Sequence, residues 1–226
     1  MAPQERSTSS ACVSCWPERR NFHGVTLAER IDLYRLAGDH AIAVAAQVPT
    51  DRWDTPALGT WTVRTLVGHI GRSFTTVVDY SARPADRVDV ADSAQYYLAI
   101  APMLTDPAAI DARAVQAGLA LGDDPVTALR ELQDGAATAL VTDDRVIATI
   151  AGGMRLSDYL PTRIFELGLH SVDLARAIGV AETLPPEIVD SILGLAVQVA
   201  QRRGDGQALM CALTGRGQFP AGYSVV

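Results

Sequence analysis

Apolar residues recur at helical spacing along most of the chain. One run extends over residues 26–47 and a second over 63–82, where every third or fourth position is apolar. Thr60 or Thr62 can cap the second run, since a hydroxyl at that place accepts a hydrogen bond from a free backbone N–H. The pattern therefore predicts two long helices, joined by a connection over 49–60.

The middle of the chain is less regular. Segments 96–104 and 108–121 are predicted as short helices, because prolines interrupt the pattern around them. Asp124-Pro125 then begins a further helix in the preferred way, with a capping residue followed by proline. Apolar residues alternate over 146–150, which predicts either a short strand or an extended connector.

The last third of the chain again favours helix. A long helix is predicted from a cap at Ser157 to Gly179, with Pro161 in its first turn, where proline is least harmful. Another helix is predicted over 186–203, and the tail 208–217 is interpreted as a strand and turn. With so little strand signal, these elements predict a mainly α fold built as an antiparallel helical bundle.

Composition sets limits on the function. The 226 residues are 48% hydrophobic and 20% charged, as expected of a globular domain with or without a small appendage. The formal charge of −7 argues against a nucleic-acid partner, and no apolar run is long enough to span a membrane. Residues 1–24 are predicted to be a disordered leader without the apolar core of a signal peptide, which favours a cytoplasmic location. Their Cys12 and Cys15 form half a zinc site at most and are interpreted as incidental.

A thin polar seam runs through the apolar segment 163–174. It consists of Arg163, Glu166, His170 and Asp173, spaced three, four and three residues apart, which places them on one helix face. A carboxylate and an imidazole at positions i and i+4 can bind one metal ion, although such a pair is also common on protein surfaces. The residues alone leave both interpretations open.

His69 is the second candidate ligand position. It lies in the middle of the predicted helix over 63–82, between Gly68 and Gly71, which keep space open beside it. A histidine in such a place is often only a packed core residue. Helical bundles, however, build metal sites from inward-facing side chains, so His69 could join Glu166 and His170.

Two long runs carry a family resemblance. The run W-T-V-R-T-L-V-G-H ends at His69, and R-I-F-E-L-G-L-H-S-V-D-L-A-R-A-I-G begins at Arg163. In this order and at this separation they resemble the mycothiol-dependent maleylpyruvate isomerase family, within the DinB-like four-helix-bundle metalloproteins. The resemblance implies a DinB-like antiparallel four-helix bundle over 25–182, after the leader 1–24. A short C-terminal helix/strand extension over 183–226 would replace the fuller C-terminal domain of some members.

The resemblance also implies the site. His69, Glu166 and His170 would be the metal ligands, while Asp173 would orient the second imidazole or touch substrate. Arg163 would contact an anion or the thiol cofactor, and Arg216 would reach the active site from the tail. Two histidines and a carboxylate leave one position of a tetrahedral zinc open. Zinc is preferred on the resemblance, although the same ligands suit iron(II), nickel or manganese.

Three functions follow as alternatives. In the first, the enzyme uses mycothiol for S-transfer to a small electrophile, or for its cis–trans isomerisation. In the second, the metal holds a water and the protein is a hydrolase in which Asp173 or His40 assists proton transfer. In the third, the bundle binds a small molecule or partner without catalysis. The preferred interpretation is the thiol-dependent enzyme, as a monomer or homodimer.

Overall fold

The chain folds mainly into helices. The computed structural model describes residues 25–103, 106–140 and 143–226, so the predictions for the leader and for Cys12 and Cys15 lie outside the described residues. The helices of the described part are α1 Leu27–Ala45, α2 Val63–Ser81, α3 Ser93–Ile100, α4 Pro107–Ala120, α5 Pro125–Ala139, α6 Leu156–Ile178, α7 Pro186–Arg202 and α8 Gly206–Leu213, with a 3-10 helix at Ala101–Met103. The strands are β1 Pro56–Leu58, β2 Trp61–Thr62, β3 Val146–Thr149 and β4 Gly152–Arg155, paired as two small antiparallel sheets.

Four helices form a closed ring. Helix α1 packs against α5 and α6, and α2 packs against the same two helices. The other helices lie outside this ring: α4 contacts α2, α3 contacts α6 and α7, and α7 also contacts α6. The predicted mainly α fold and four-helix bundle are therefore confirmed, whereas the division of the chain at residue 182 stays a prediction. In the described part no helix is both long and apolar enough to cross a lipid bilayer.

Local capping explains where three bundle helices begin. Thr26 and Glu29 form a reciprocal capping box at α1. The hydroxyl of Thr62 accepts from the backbone of the first turn of α2, so Thr62 rather than Thr60 is the cap. Asp124 caps α5 and is followed by proline, as its sequence predicts. The starts predicted for these helices are confirmed.

The irregular middle resolves into short elements. The two predicted short helices are α3 and α4, each begun by an aspartate cap, Asp92 and Asp106 respectively. The alternating segment 146–150 forms a strand, β3, which pairs with β4. The connection 49–60 ends in β1, whose pairing with β2 was not predicted, since both strands are too short to show a period.

The start of α6 differs from its prediction. The helix begins at Leu156, so Ser157 lies inside it and is not the cap. The carboxylate of Asp144 accepts hydrogen bonds from the backbone N–H and the hydroxyl of Ser157, at 2.9 and 2.8 Å. The carboxylate of Asp144, which precedes the helix in the chain, thus accepts a hydrogen bond from a backbone N–H in the first turn of α6. Pro161 accordingly lies further inside the helix than its first turn.

The C-terminal tail also differs from its prediction. Residues 206–213, interpreted in part as a strand, form helix α8, which packs on α7. The segment is rich in alanine, leucine and methionine, which are strong helix formers. A short apolar run shows neither a clear helical nor a clear strand period, so helix propensity is the better predictor of its structure. The expected strand in the tail is therefore wrong.

Two glycines let α4 approach α2 closely. A Cβ atom built on Gly68 would lie 2.1 Å from the backbone nitrogen of Gly118, and one on Gly118 would lie 2.7 Å from the carbonyl oxygen of Arg64. Neither position can hold a side chain unless the helices separate. Because Gly68 precedes His69 in the chain, this contact also fixes the helix that carries the candidate ligand.

We expect Gly68→Ala to destabilise the fold. The new methyl group meets backbone that cannot rotate away, and overpacking of this kind lowers the free energy of unfolding by about 2 kcal/mol. Urea unfolding followed by circular dichroism measures the loss. Gly135→Ala is the matched control, since a Cβ there meets nothing within 4 Å and should stabilise α5 by about 0.5–1 kcal/mol. Equal stability of the Gly68→Ala variant and the parent would contradict the close packing.

Candidate metal centre

Two helices bring the three predicted ligands together. His69 is on α2, and Glu166 and His170 are one turn apart on α6, which packs against α2. Oε2 of Glu166 lies 3.5 Å from Nε2 of His69 and 3.4 Å from Nε2 of His170. One potential ligand atom from each residue lies within 4.8 Å of the other two. This cluster is called the His69/Glu166/His170 triad below.

The distance from Glu166 to each histidine fits a tetrahedral metal. Zinc binds imidazole nitrogen and carboxylate oxygen at about 2.0–2.2 Å, which places neighbouring ligand atoms roughly 3.4 Å apart. The two distances from Glu166 match this edge length. The three side chains retain about a fifth of their exposure, at 22%, 19% and 18% in chain order. The donor set can therefore hold a metal ion that a small molecule could still reach.

The side chains of the triad and two of their neighbours shift the pKa values within it. Burial raises the pKa of Glu166, but hydrogen bonding to His170 and His69 and the positive charge of Arg163 outweigh it and hold this pKa well below its usual range. Burial lowers the pKa of His69. Burial also works against a charged His170, yet Asp173 and Glu166 raise its pKa to about 9. The positive charge of Arg163 and that of a protonated His170 both favour the ionised carboxylate of Glu166.

Asp173 contacts the second ring nitrogen of one predicted ligand. Its Oδ2 lies 3.1 Å from Nδ1 of His170, one helical turn further along α6. A carboxylate at this nitrogen fixes the imidazole so that Nε2 is free to bind a metal. This contact is compatible with the orienting role suggested for Asp173, and both of its suggested roles stay predictions.

Tyr97 makes a corresponding contact with the carboxylate of Glu166. Its hydroxyl donates to Oε1 of Glu166 at 2.9 Å and also lies 3.2 Å from the carbonyl oxygen of Thr162. The tyrosine is buried on α3, and burial raises the pKa of its hydroxyl well above the usual value, so it remains a donor. With Oε1 engaged in this way, Oε2 is the oxygen that faces both histidines.

Trp61 closes one side of the triad. Its ring centroid lies 4.8 Å from that of His69 and 6.4 Å from that of His170. The two imidazoles are themselves nearly perpendicular, with centroids 4.8 Å apart. The cluster is thus bounded by an indole on one side and by the tyrosine-lined interior of α3 and α6 on another.

A family assignment follows from comparison of the sequence with known families. The model of the mycothiol maleylpyruvate isomerase N-terminal domain matches residues 34–175, which is more than half of the sequence and includes the triad. The chain belongs to this family. The family predicted from the two sequence runs is therefore confirmed.

A solved structure supports the fold. The crystal structure of the mycothiol-dependent maleylpyruvate isomerase matches with a TM-score of 0.56 at 19% sequence identity, over 81% of this chain and 73% of that chain. At this identity the likeness concerns the fold. No curated protein matches the sequence.

Arg163 lies one turn before Glu166 but faces aromatic rings. Its guanidinium carbon is 5.1 Å from the ring centre of Tyr159 and 6.0 Å from that of Tyr96, and its Nε donates to the hydroxyl of Thr162. Its charge acts on Glu166 through space. The predicted role of Arg163 as a contact for an anion or the thiol cofactor stays a prediction.

Arg216 is not brought to the triad by any contact of the described residues. Its guanidinium donates to the carbonyl oxygen of Thr214 and its backbone N–H to that of Cys211, so its contacts lie within the end of α8 and the tail that follows. The predicted ligands, Arg163 and Asp173 are all on α2 and α6. The proposed reach of Arg216 into the active site therefore stays a prediction without a supporting contact.

Sequence reasoning missed Tyr97 and Trp61. Trp61 opens the very run that ends at His69, so an aromatic residue at the start of that run was an available signal. Tyr97 lies in the irregular segment before α4, and nothing in its neighbourhood separates it from Tyr96. Only the packing of α3 against α6 shows which tyrosine meets Glu166.

We expect Tyr97→Phe to weaken zinc binding about tenfold, which is the usual loss when an outer partner of a ligand is removed. Oε1 of Glu166 would lose its donor and the carboxylate its fixed orientation. Competition against a chromogenic chelator measures the affinity. Tyr96→Phe is the matched control, because among the described residues the hydroxyl of Tyr96 makes no hydrogen bond. Equal zinc affinity in the two variants would refute this role.

Proposed function

We propose that this protein is a metal-dependent enzyme that uses mycothiol to isomerise a small electrophilic substrate from cis to trans. The observation that carries the proposal is the triad, in which two helices aim two imidazoles and one carboxylate at a common point. The family gives this metal site its chemical context, since its name and that of the solved relative both contain mycothiol and maleylpyruvate. Maleylpyruvate, a conjugated cis diacid, is accordingly the first substrate to test.

The protein side chains have distinct tasks in this proposal. His69, Glu166 and His170 would hold the ion, for which zinc is our choice. Asp173 would keep the second imidazole in the tautomer that binds metal, and Tyr97 would aim the carboxylate. A zinc ion with three protein ligands has an open fourth position, where it would lower the pKa of a thiol so that thiolate is present at neutral pH.

The nucleophilic sulfur has to come from outside the described part of the chain. The cysteine found there, Cys211, is on α8, which packs against α7, and it is not a member of the triad. A small thiol bound as cosubstrate supplies what these residues lack. This separates the proposal from cysteine-based catalysis, in which the nucleophile is a side chain.

The chemistry requires no oxidant or reductant. A thiolate that adds to one carbon of a conjugated double bond leaves the electron pair on the neighbouring carbon, stabilised by the carbonyl group. The former double bond can then rotate, and expulsion of the thiolate restores it in the trans form. If the carbon is protonated before the thiolate leaves, the product is an S-conjugate, so S-transfer is the alternative outcome at the same site.

The hydrolase alternative has less support from the geometry. Its candidate proton carrier Asp173 is already engaged by Nδ1 of His170. The other candidate, His40, is on α1, and among the described residues no hydrogen bond or ion pair joins it to the triad. Among the described residues, no base without a partner lies beside the triad, which supports the thiol-dependent enzyme over the hydrolase.

Metal content should depend on the three side chains of the triad. We expect near-stoichiometric zinc in protein purified without chelators, and its loss in His170→Ala, because only two ligands would remain. Elemental mass spectrometry on the folded proteins measures both. His40→Ala is the matched control and should keep its metal. A parent protein that retains its fold without binding zinc, iron, nickel or manganese would refute the metal-dependent enzyme.

Activity should require both the thiol and the metal. With maleylpyruvate as substrate, we expect isomerisation in the presence of mycothiol, a fall of at least about a hundredfold without it, and a similar fall in Glu166→Gln. The change in ultraviolet absorbance follows the reaction. Activity towards esters or amides that survives complete removal of thiols would instead favour the hydrolase.

A further inference from the structure

The two histidines of the triad are supported differently. Nδ1 of His170 is held by the carboxylate of Asp173. Among the described residues, the corresponding nitrogen of His69 makes no hydrogen bond, and the polar contact of His69 is with Glu166. A metal-binding histidine usually has a partner at its second nitrogen, which fixes the plane of the ring. Something else must therefore fix the plane of His69.

The indole of Trp61 occupies the position from which it can do this. It packs on the ring of His69 with a centroid separation of 4.8 Å and an interplanar angle of 43°. Trp61 is half-buried on β2, immediately before the cap of α2, so both residues belong to one continuous stretch of chain. A large rigid ring in contact with an imidazole restricts its rotation about the bond to Cβ.

The indole is itself tied to another helix. Its Nε1 donates to Oδ1 of Asp111 at 2.7 Å, and the hydroxyl of Thr60 donates to Oδ2 of the same carboxylate at 3.2 Å. Asp111 is on α4, which lies outside the four-helix ring. The carboxylate therefore binds two neighbouring residues at the β1–β2 turn and fixes the indole against the triad.

We propose that Trp61, held by Asp111, is a positioning residue that sets the ring of His69 for metal binding. This inference rests on the proposed function, because it requires that the triad binds a metal. Asp111 then fixes the ring of His69 indirectly, through the indole of Trp61, whereas Asp173 contacts the ring of His170 directly. The arrangement leaves the second nitrogen of His69 without a carboxylate among the described residues, and the indole packs on that imidazole instead.

Metal affinity and ligand geometry test the proposal. Zinc affinity is measured on metal-free protein by chelator competition, and the visible spectrum of the cobalt(II) form reports the ligand geometry. We expect Trp61→Leu and Asp111→Ala each to weaken zinc binding about tenfold and to alter the cobalt spectrum. Asp111→Asn keeps an oxygen that can accept from the indole, so both properties should stay close to those of the parent.

Controls separate positioning from folding. Trp53→Phe is the matched control, because this second tryptophan packs on Arg64, with no ring contact to the triad among the described residues, and should leave zinc affinity unchanged. Thermal midpoints of the metal-free variants show whether each is folded. If Trp61→Leu does not fold, Asp111→Ala and Asp111→Asn still decide the question, since Asp111 lies outside the bundle.

The outcomes distinguish this inference from the proposed function. Parental affinity and spectrum in both Trp61→Leu and Asp111→Ala, with zinc lost in His170→Ala, would overturn the positioning role and leave the metal enzyme standing. Equal losses in Asp111→Ala and Asp111→Asn would also overturn it, because the effect would then follow the negative charge that both variants remove and not the hydrogen bond that asparagine can keep. If the parent binds no metal, both proposals fall together.

Discussion

The carboxylate of Glu166, placed among apolar side chains in the middle of α6, is the feature on which the rest of the site depends. A buried carboxylate is costly unless charge and hydrogen bonds compensate it. Here Oε2 faces two imidazoles and Oε1 accepts from Tyr97. These partners come from α2, α3 and α6, so the three helices must meet at one point before the carboxylate can be tolerated. The site therefore forms only when these three helices pack together.

Local signals were sufficient for the helices and for part of the site. Spacing and caps located α1, α2 and α5, because Thr62 and Asp124 act on backbone only a few residues away. Glu166 and His170 could be paired for the same reason, since an i,i+4 spacing on one helix fixes their proximity. The meeting of His69 with this pair depends on how α2 packs against α6, which no local pattern contains. The family resemblance supplied that step.

Non-local contacts explain what the sequence could not show. At the start of α6, the hydrogen-bond acceptor is Asp144, a residue outside the helix. The sequence near the helix start does not show this contact, and the prediction of Ser157 as the cap is therefore wrong. Tyr97 and its neighbour Tyr96 look alike in the sequence, and only the approach of α3 to α6 selects the one that meets Glu166. The tail was misjudged for another reason. Its apolar run is too short for periodicity to decide, and helix propensity decided it.

Helix α4 links packing outside the bundle to the ligand on α2. Its Gly118 meets Gly68 with almost no space between the backbones, directly beside His69 in the chain. Two turns earlier on the same helix, Asp111 holds the indole that packs on His69. A side chain at the glycine contact would move α4 away, and the reach of Asp111 to the indole would lengthen with it. The glycines thus contribute to the position of His69 twice, through α2 itself and through the residue that supports its ring.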